Sequence, residues 1–144
     1  MPTRTARTAW NGTLQDGSGQ VELSSSKLGT FDVSWPKRTS DEAGGSTSPE
    51  ELVAAAHSAC FSMALSNEIA KAGGTPQSLE VTADVTLGLQ DGATITGIKL
   101  TVRAEVDGLD ADGFEKAAQA AKVGCPVSKA LAAVDITLDA QLDS

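Results

Sequence analysis

The sequence predicts an α+β fold, and three observations predict it. Two stretches, 79–89 and 95–106, alternate apolar and polar residues on either side of Asp91-Gly92. A long apolar segment between Ser48 and Gly73 lacks that alternation and carries helix start and stop signals. A second helical segment and a last alternating run, 136–142, follow. Alternation with period two marks half-buried strands, whereas a capped, Ala-rich run marks a helix. Helices and antiparallel strands in separate runs define the class.

The elements follow in order. Thr5–Asn11 reads as a strand, Gln15–Gly19 as a turn, and Gln20–Leu23 and Thr30–Trp35 as short strands. Pro36–Thr47 (PKRTSDEAGGST) reads as a loop, either functional or simply solvated. Ser48-Pro49-Glu50-Glu51 starts the long helix: Ser48 as N-cap, Pro49 in the first turn, Glu51 completing a capping box. The helix runs to Ala72 and stops at Gly73-Gly74. It is apolar round most of its circumference from Leu52 to Leu65, which predicts burial on several sides. The hairpin follows, with Ile98, Leu100, Val102, Ala104 and Val106 on one face of its return strand. Asp110 caps a helix to Lys122, Pro126–Ala133 is a short helix, and Ile136–Leu142 is the last strand. One domain is expected over 1–144: a β-rich N-terminal region (1–35), a loop (36–47), a central helix (48–72), a hairpin (78–106), and helices with a strand (110–142).

Composition narrows the function classes. A chain of 144 residues with 40% apolar content can bury a core. Only 3% is aromatic, so Ala, Val, Leu and Ile must build that core, and a second subunit would help to cover it. A net charge of −8 disfavours nucleic acid and anionic membranes as partners. The polar, basic start (1–12) carries no signal-peptide pattern, and no stretch nears the ~20 apolar residues of a membrane span. A cytoplasmic protein is expected. In that reducing compartment two cysteines are buried thiols, metal ligands or redox groups rather than a standing disulfide.

Cys60 lies in the middle of the long helix, in His57-Ser58-Ala59-Cys60-Phe61. It is either a small core residue or a nucleophile, and a nucleophile needs a cation nearby to favour the thiolate. His57, three residues earlier, is either the base of a Cys–His pair or a hydrogen-bonded core residue. Cys125 lies between Gly124 and Pro126, at a helix start, where it is either simply a weak cap or a redox cysteine whose thiolate the free N–H groups favour. Two Cys and one His fall short of the four ligands of structural zinc, so no metal is expected, and a cysteine acting as a nucleophile needs no organic cofactor.

Several segments together resemble the OsmC (osmotically inducible protein C) family and its sister group, the organic hydroperoxide resistance proteins. They are Ser48-Pro49-Glu50-Glu51-Leu52, the run Ala55–Leu65 (AAHSACFSMAL), Thr82-Ala83-Asp84-Val85, Ala121–Ser128 (AKVGCPVS) and Ile136-Thr137-Leu138-Asp139. The resemblance implies antiparallel sheets packed on a long central helix in an intertwined homodimer. It implies reduction of organic hydroperoxides, and more weakly of hydrogen peroxide, in stress defence. Cys60 would match the peroxidatic cysteine, Cys125 the resolving cysteine, Arg38 the loop arginine and Glu50 its partner. The loop from Arg38 to Glu50 is one residue longer than the usual pattern, and Lys37 is the alternative cation.

The implied chemistry is a Cys60 sulfenic acid, then a Cys60–Cys125 disulfide reduced by an external dithiol, with lipoyl groups or small thiols as candidates. Glu50 and Cys60 are ten residues apart, about 15 Å along a straight helix. One arginine cannot easily reach both, so a site built from two subunits is expected, with two copies of the helix crossing near Ala55. The alternative reading is an OsmC-fold binding or redox-sensing protein without significant turnover.

Overall fold

The computed structural model describes residues 1–143. The chain divides into two compact units, Met1–Leu52 and Val53–Ser144. The first unit is built on an antiparallel meander of β1 (Arg7–Asn11), β2 (Ser18–Glu22) and β3 (Thr30–Val33). Val21 of β2 sits opposite Thr8 and Phe31 and is the buried hydrophobic residue of this sheet.

The chain then departs from the expected strand and loop. Trp35–Arg38 form a helical turn, α1, where Trp35 reads as strand and Pro36 onward as loop. Ser34 is extended and its hydroxyl accepts from the Lys37 N–H at 3.3 Å, while Pro36 fixes φ in the first turn. The capping side chain and the proline are enough for one turn, too short for periodicity to reveal. The far end of the loop is tied back to β3 where the Thr47 N–H donates to the Asp32 carbonyl at 2.9 Å.

The long helix, α2 (Pro49–Lys71), starts in the first unit and runs through the second. The Glu51 N–H donates to Ser48 Oγ at 3.1 Å, so Ser48 is the N-cap. The Glu51 carboxylate does not complete the capping box, because it accepts from the Thr47 hydroxyl instead. At the other end Gly73 takes φ +92°, and the Gly74 N–H reaches back to the Ile69 carbonyl at 3.0 Å. That bond closes a Schellman cap, which needs a residue tolerant of positive φ.

In the second unit α2 buries one stripe, His57, Phe61, Leu65 and Ile69, at the i, i+4 spacing of a helix face. Ala55, Ala56, Ala59 and Met63 are exposed. Among the described residues of this unit, the expected burial on several sides is therefore not met.

Strands β4 (Thr75–Gly88) and β5 (Thr94–Asp107) form the hairpin, turning at Gly92 with φ +82°. Strand β6 (Asp135–Leu142) pairs with β5 in parallel, making this sheet mixed rather than wholly antiparallel. The reason is the connection: α3 (Ala111–Gly124) and α4 (Pro126–Ala130) separate β5 from β6, a crossover long enough to return the chain in the same direction. Apolar residues stack in rows across the three strands, Val85–Ile98–Ile136, Ala83–Leu100–Leu138 and Val81–Val102–Ala140. They form one core with Phe61, Leu65 and Ile69 of α2 and Phe114, Ala117, Ala118 and Ala121 of α3. Phe61 and Phe114 are 0% and 1% exposed, so two of the three Phe anchor this aromatic-poor core. Asp110 caps α3 by accepting from the Gly113 N–H at 2.7 Å. Among the described residues no helix is long and apolar enough to cross a membrane.

Candidate active site

The four residues singled out by the sequence fall into two pairs, each within one unit. In the first unit α1 and the start of α2 bring Arg38 to Glu50. The Arg38 Nε donates to Glu50 Oε1 at 2.9 Å and Nη2 donates to Oε2 at 2.8 Å. Two parallel charge-assisted bonds fix the plane of the guanidinium as well as its position. Glu50 is 7% exposed, and the Arg38 side chain keeps more contact with solvent. The hydrogen bond to Glu50 raises the Arg38 pKa further, so the guanidinium stays cationic throughout. The Trp35 ring lies 5.8 Å from the guanidinium carbon, within cation–π range. Among the described residues the fork to Glu50 belongs to Arg38 rather than to Lys37. Beside it lies an apolar pocket of about 220 Å³, lined by Trp10, Leu14, Val21, Val33, Trp35 and Leu52 as well as Arg38.

In the second unit α2 and the α3–α4 junction bring Cys60 to Cys125. Both are free thiols, and each acts on the titration of the other. Cys125 is 0% exposed, whereas Cys60 is only partly buried. Cys60 opens onto a groove of about 550 Å³, lined among others by Met63, Ala64, Asn67, Gly124, Pro126 and Lys129.

The proton of this pair is unequally shared. Burial pushes the Cys60 thiol up, and the neighbouring Cys125 adds to the rise against the opposing effect of the Val127 backbone. Burial also works against a Cys125 thiolate, but it is outweighed. The Ser128 backbone N–H, the Cys60 thiol, the Ser128 hydroxyl and the Val127 backbone all favour the anion, and the Cys125 pKa is lowered. These groups face the sulfur without closing a full side-chain cap. Helix α4 has five residues, so nearby N–H groups matter here more than a macrodipole.

His57 does not serve Cys60 as a base. Its Nε2 lies 2.7 Å from Ser128 Oγ, and its ring is fully buried. Burial lowers its pKa, which keeps the imidazole neutral. Sequence reasoning misses Ser128 as a member of this cluster. The available signal is Cys-Pro-Val-Ser, which sets a hydroxyl three residues after a capping Cys, one turn away. It misses Trp35 as well, whose place at the end of an apolar run reads as strand. Among the described residues no three His, Cys, Asp or Glu side chains gather where they could hold a metal ion.

Two neighbouring free thiols, one partly and one fully buried, in a fold with a mixed sheet and a long helix define the class: an α+β protein equipped for thiol redox chemistry. The chain belongs to the OsmC-like protein family, whose sequence model matches residues 41–139. It is 47% identical over 136 residues to Peroxiredoxin OsmC of Escherichia coli, covering 94% of this chain and 93% of that protein. It is 36% identical over 121 residues to the Organic hydroperoxide resistance protein OhrA of Bacillus subtilis, covering 81% of this chain and 84% of that one. The crystal structure of OhrB of Bacillus subtilis superposes with a TM-score of 0.73 at 27% identity, covering 95% of this chain and 98% of that one.

Proposed function

We propose that this protein is a thiol-dependent peroxidase that reduces organic hydroperoxides to alcohols, working as a homodimer in the cytoplasm. The observation that carries the reading is the pairing of Cys60, which lines an open groove, with the buried Cys125. The relatives named for peroxiredoxin and organic hydroperoxide activity support it. Two free thiols suit a reducing compartment.

The roles follow from access and charge. Cys60 is the peroxidatic residue, because a peroxide meets the partly exposed thiol before the fully buried one. Its thiolate attacks the terminal oxygen, the O–O bond breaks, and the alkoxide leaves and takes a proton. Sulfur is oxidised to a sulfenic acid. The Cys125 thiolate then attacks that sulfur, hydroxide leaves and is protonated to water, and a Cys60–Cys125 disulfide forms. An external dithiol gives up two electrons to restore both thiols.

The single chain favours the anion on Cys125, so Cys60 needs a cation to reverse that order. Arg38, held planar by Glu50, is the group for this task. Helix α2 is continuous from Pro49 to Lys71, and ten residues of it rise about 15 Å. In this reading Arg38 and Glu50 of one subunit therefore serve the cysteines of the other. The apolar pocket beside Arg38 favours a hydrocarbon-bearing peroxide over hydrogen peroxide.

Mixing the reduced protein with cumene hydroperoxide, and separately with hydrogen peroxide, tests the reading by thiol count. Rapid loss of both thiols with the organic peroxide and slower loss with hydrogen peroxide are expected. No loss with either would leave a binding or sensing protein.

A further inference from the structure

One buried hydrogen bond has no role in the scheme above. His57 is 0% exposed and Ser128 5% exposed, and their side chains meet at 2.7 Å. A serine hydroxyl has one proton to give. If it gives that proton to the imidazole, it can only accept elsewhere; if it accepts from the imidazole, its proton is free for another acceptor.

The second nitrogen of the ring decides between the two. Among the described residues, His57 Nδ1 is buried with no hydrogen-bond partner. A proton on Nδ1 would leave a buried N–H without an acceptor, the costlier of the two defects. The neutral tautomer with its proton on Nε2 avoids this. That proton then goes to Ser128 Oγ, and the Ser128 hydroxyl keeps its own proton for another acceptor; Ser128 stands three residues after Cys125, and its side chain favours the Cys125 anion.

We propose that Ser128 and His57 are positioning residues for disulfide closure, the imidazole orienting the hydroxyl so that it donates to the Cys125 sulfur. The inference rests on the peroxidase reading only for the meaning of that sulfur as the resolving group. The geometry explains why a histidine stands one turn before Cys60 yet turns to the other cysteine. It keeps the buried Cys125 ready as a thiolate when Cys60 has become a sulfenic acid. The titratable groups meeting Cys125 are Cys60 directly and His57 through Ser128, and Lys122 of α3 and Lys129 of α4 are the charged groups on the elements flanking it.

The test uses Cys60→Ser, in which Cys125 is the single cysteine, and reads its ionisation by ultraviolet thiolate absorbance against pH. Ser128→Ala in that background is expected to raise the titration midpoint by about one pH unit, the effect of losing a hydrogen bond to a charged group. His57→Leu is expected to raise it by less, and His57→Gln, which keeps an N–H near the place of Nε2, to return it toward the parent value. In the two-cysteine protein, Ser128→Ala is expected to slow disulfide closure about threefold at a pH below the Cys125 midpoint, because the tenfold loss of thiolate there is partly offset by higher nucleophilicity. A folded Ser128→Ala protein with an unmoved midpoint overturns the assignment. Should Ser128→Ala fail to fold, the His57 pair decides, and equal midpoints for Leu and Gln overturn it. The titration uses no peroxide, so it can fail while the peroxidase reading stands, and the reverse.

Discussion

Reach and charge distinguish two neighbouring thiols. Cys60 can be met from the groove, while Cys125 is sealed in the core but held by donors that favour its anion. His57 shows how burial sets a third group. Its folded pKa lies below the ordinary 6.5, so the unfolded chain takes up a proton first as pH falls. Stability is therefore full above about pH 6.5 and declines below it toward the folded pKa. His57→Gln should remove this component of the acid-side decline. Thermal unfolding followed from about pH 7.5 to about pH 5 checks it, and an unchanged slope would mean that other groups set the decline. The cysteines were legible in the sequence because their flanking residues place one in a helix and the other at a cap. Ser128 was not, because its role depends on a side chain 71 positions away.

The elements were legible where one rule governs them. Residues 98 to 106 alternate, and every second one is buried in β5. Ser48, Asp110 and Gly73 mark helix ends in the sequence and cap or terminate them in the structure. Strand direction was not legible, since alternation is the same for parallel and antiparallel neighbours; the parallel pairing of β6 comes from the crossover through α3 and α4. The length of α2 carries the prediction that belongs at this scale. If Glu50 and Arg38 serve the cysteines of a second subunit, Arg38→Ala and Cys60→Ser proteins should complement each other. Unfolded together and refolded, equal amounts should recover roughly a quarter of the parent's sites, from random pairing in a two-fold dimer. Peroxide consumption measures the recovery, and none at all would place the whole site within one chain.

At the scale of the molecule, the uncovered side of α2 and the thin core point the same way. Ala55, Ala56, Ala59 and Met63 form an exposed, mostly small-residue face on the helix that carries Cys60. Small side chains permit close approach of a second helix, and covering them would add apolar burial at about 25 cal/mol per Å². The apolar circumference was legible in the sequence, whereas what covers it was not; in the proposed homodimer a second copy of this helix would do so. The central claim is that Cys60 takes the oxygen and Cys125 closes the disulfide. Peptide mapping after one equivalent of cumene hydroperoxide, run on the parent and on Cys125→Ser, tests it directly. The account predicts a Cys60–Cys125 crosslink in the parent and oxygen retained on Cys60 in the variant. Both thiols left free in the parent, or oxygen found first on Cys125 in Cys60→Ser at the parent's rate, would contradict it.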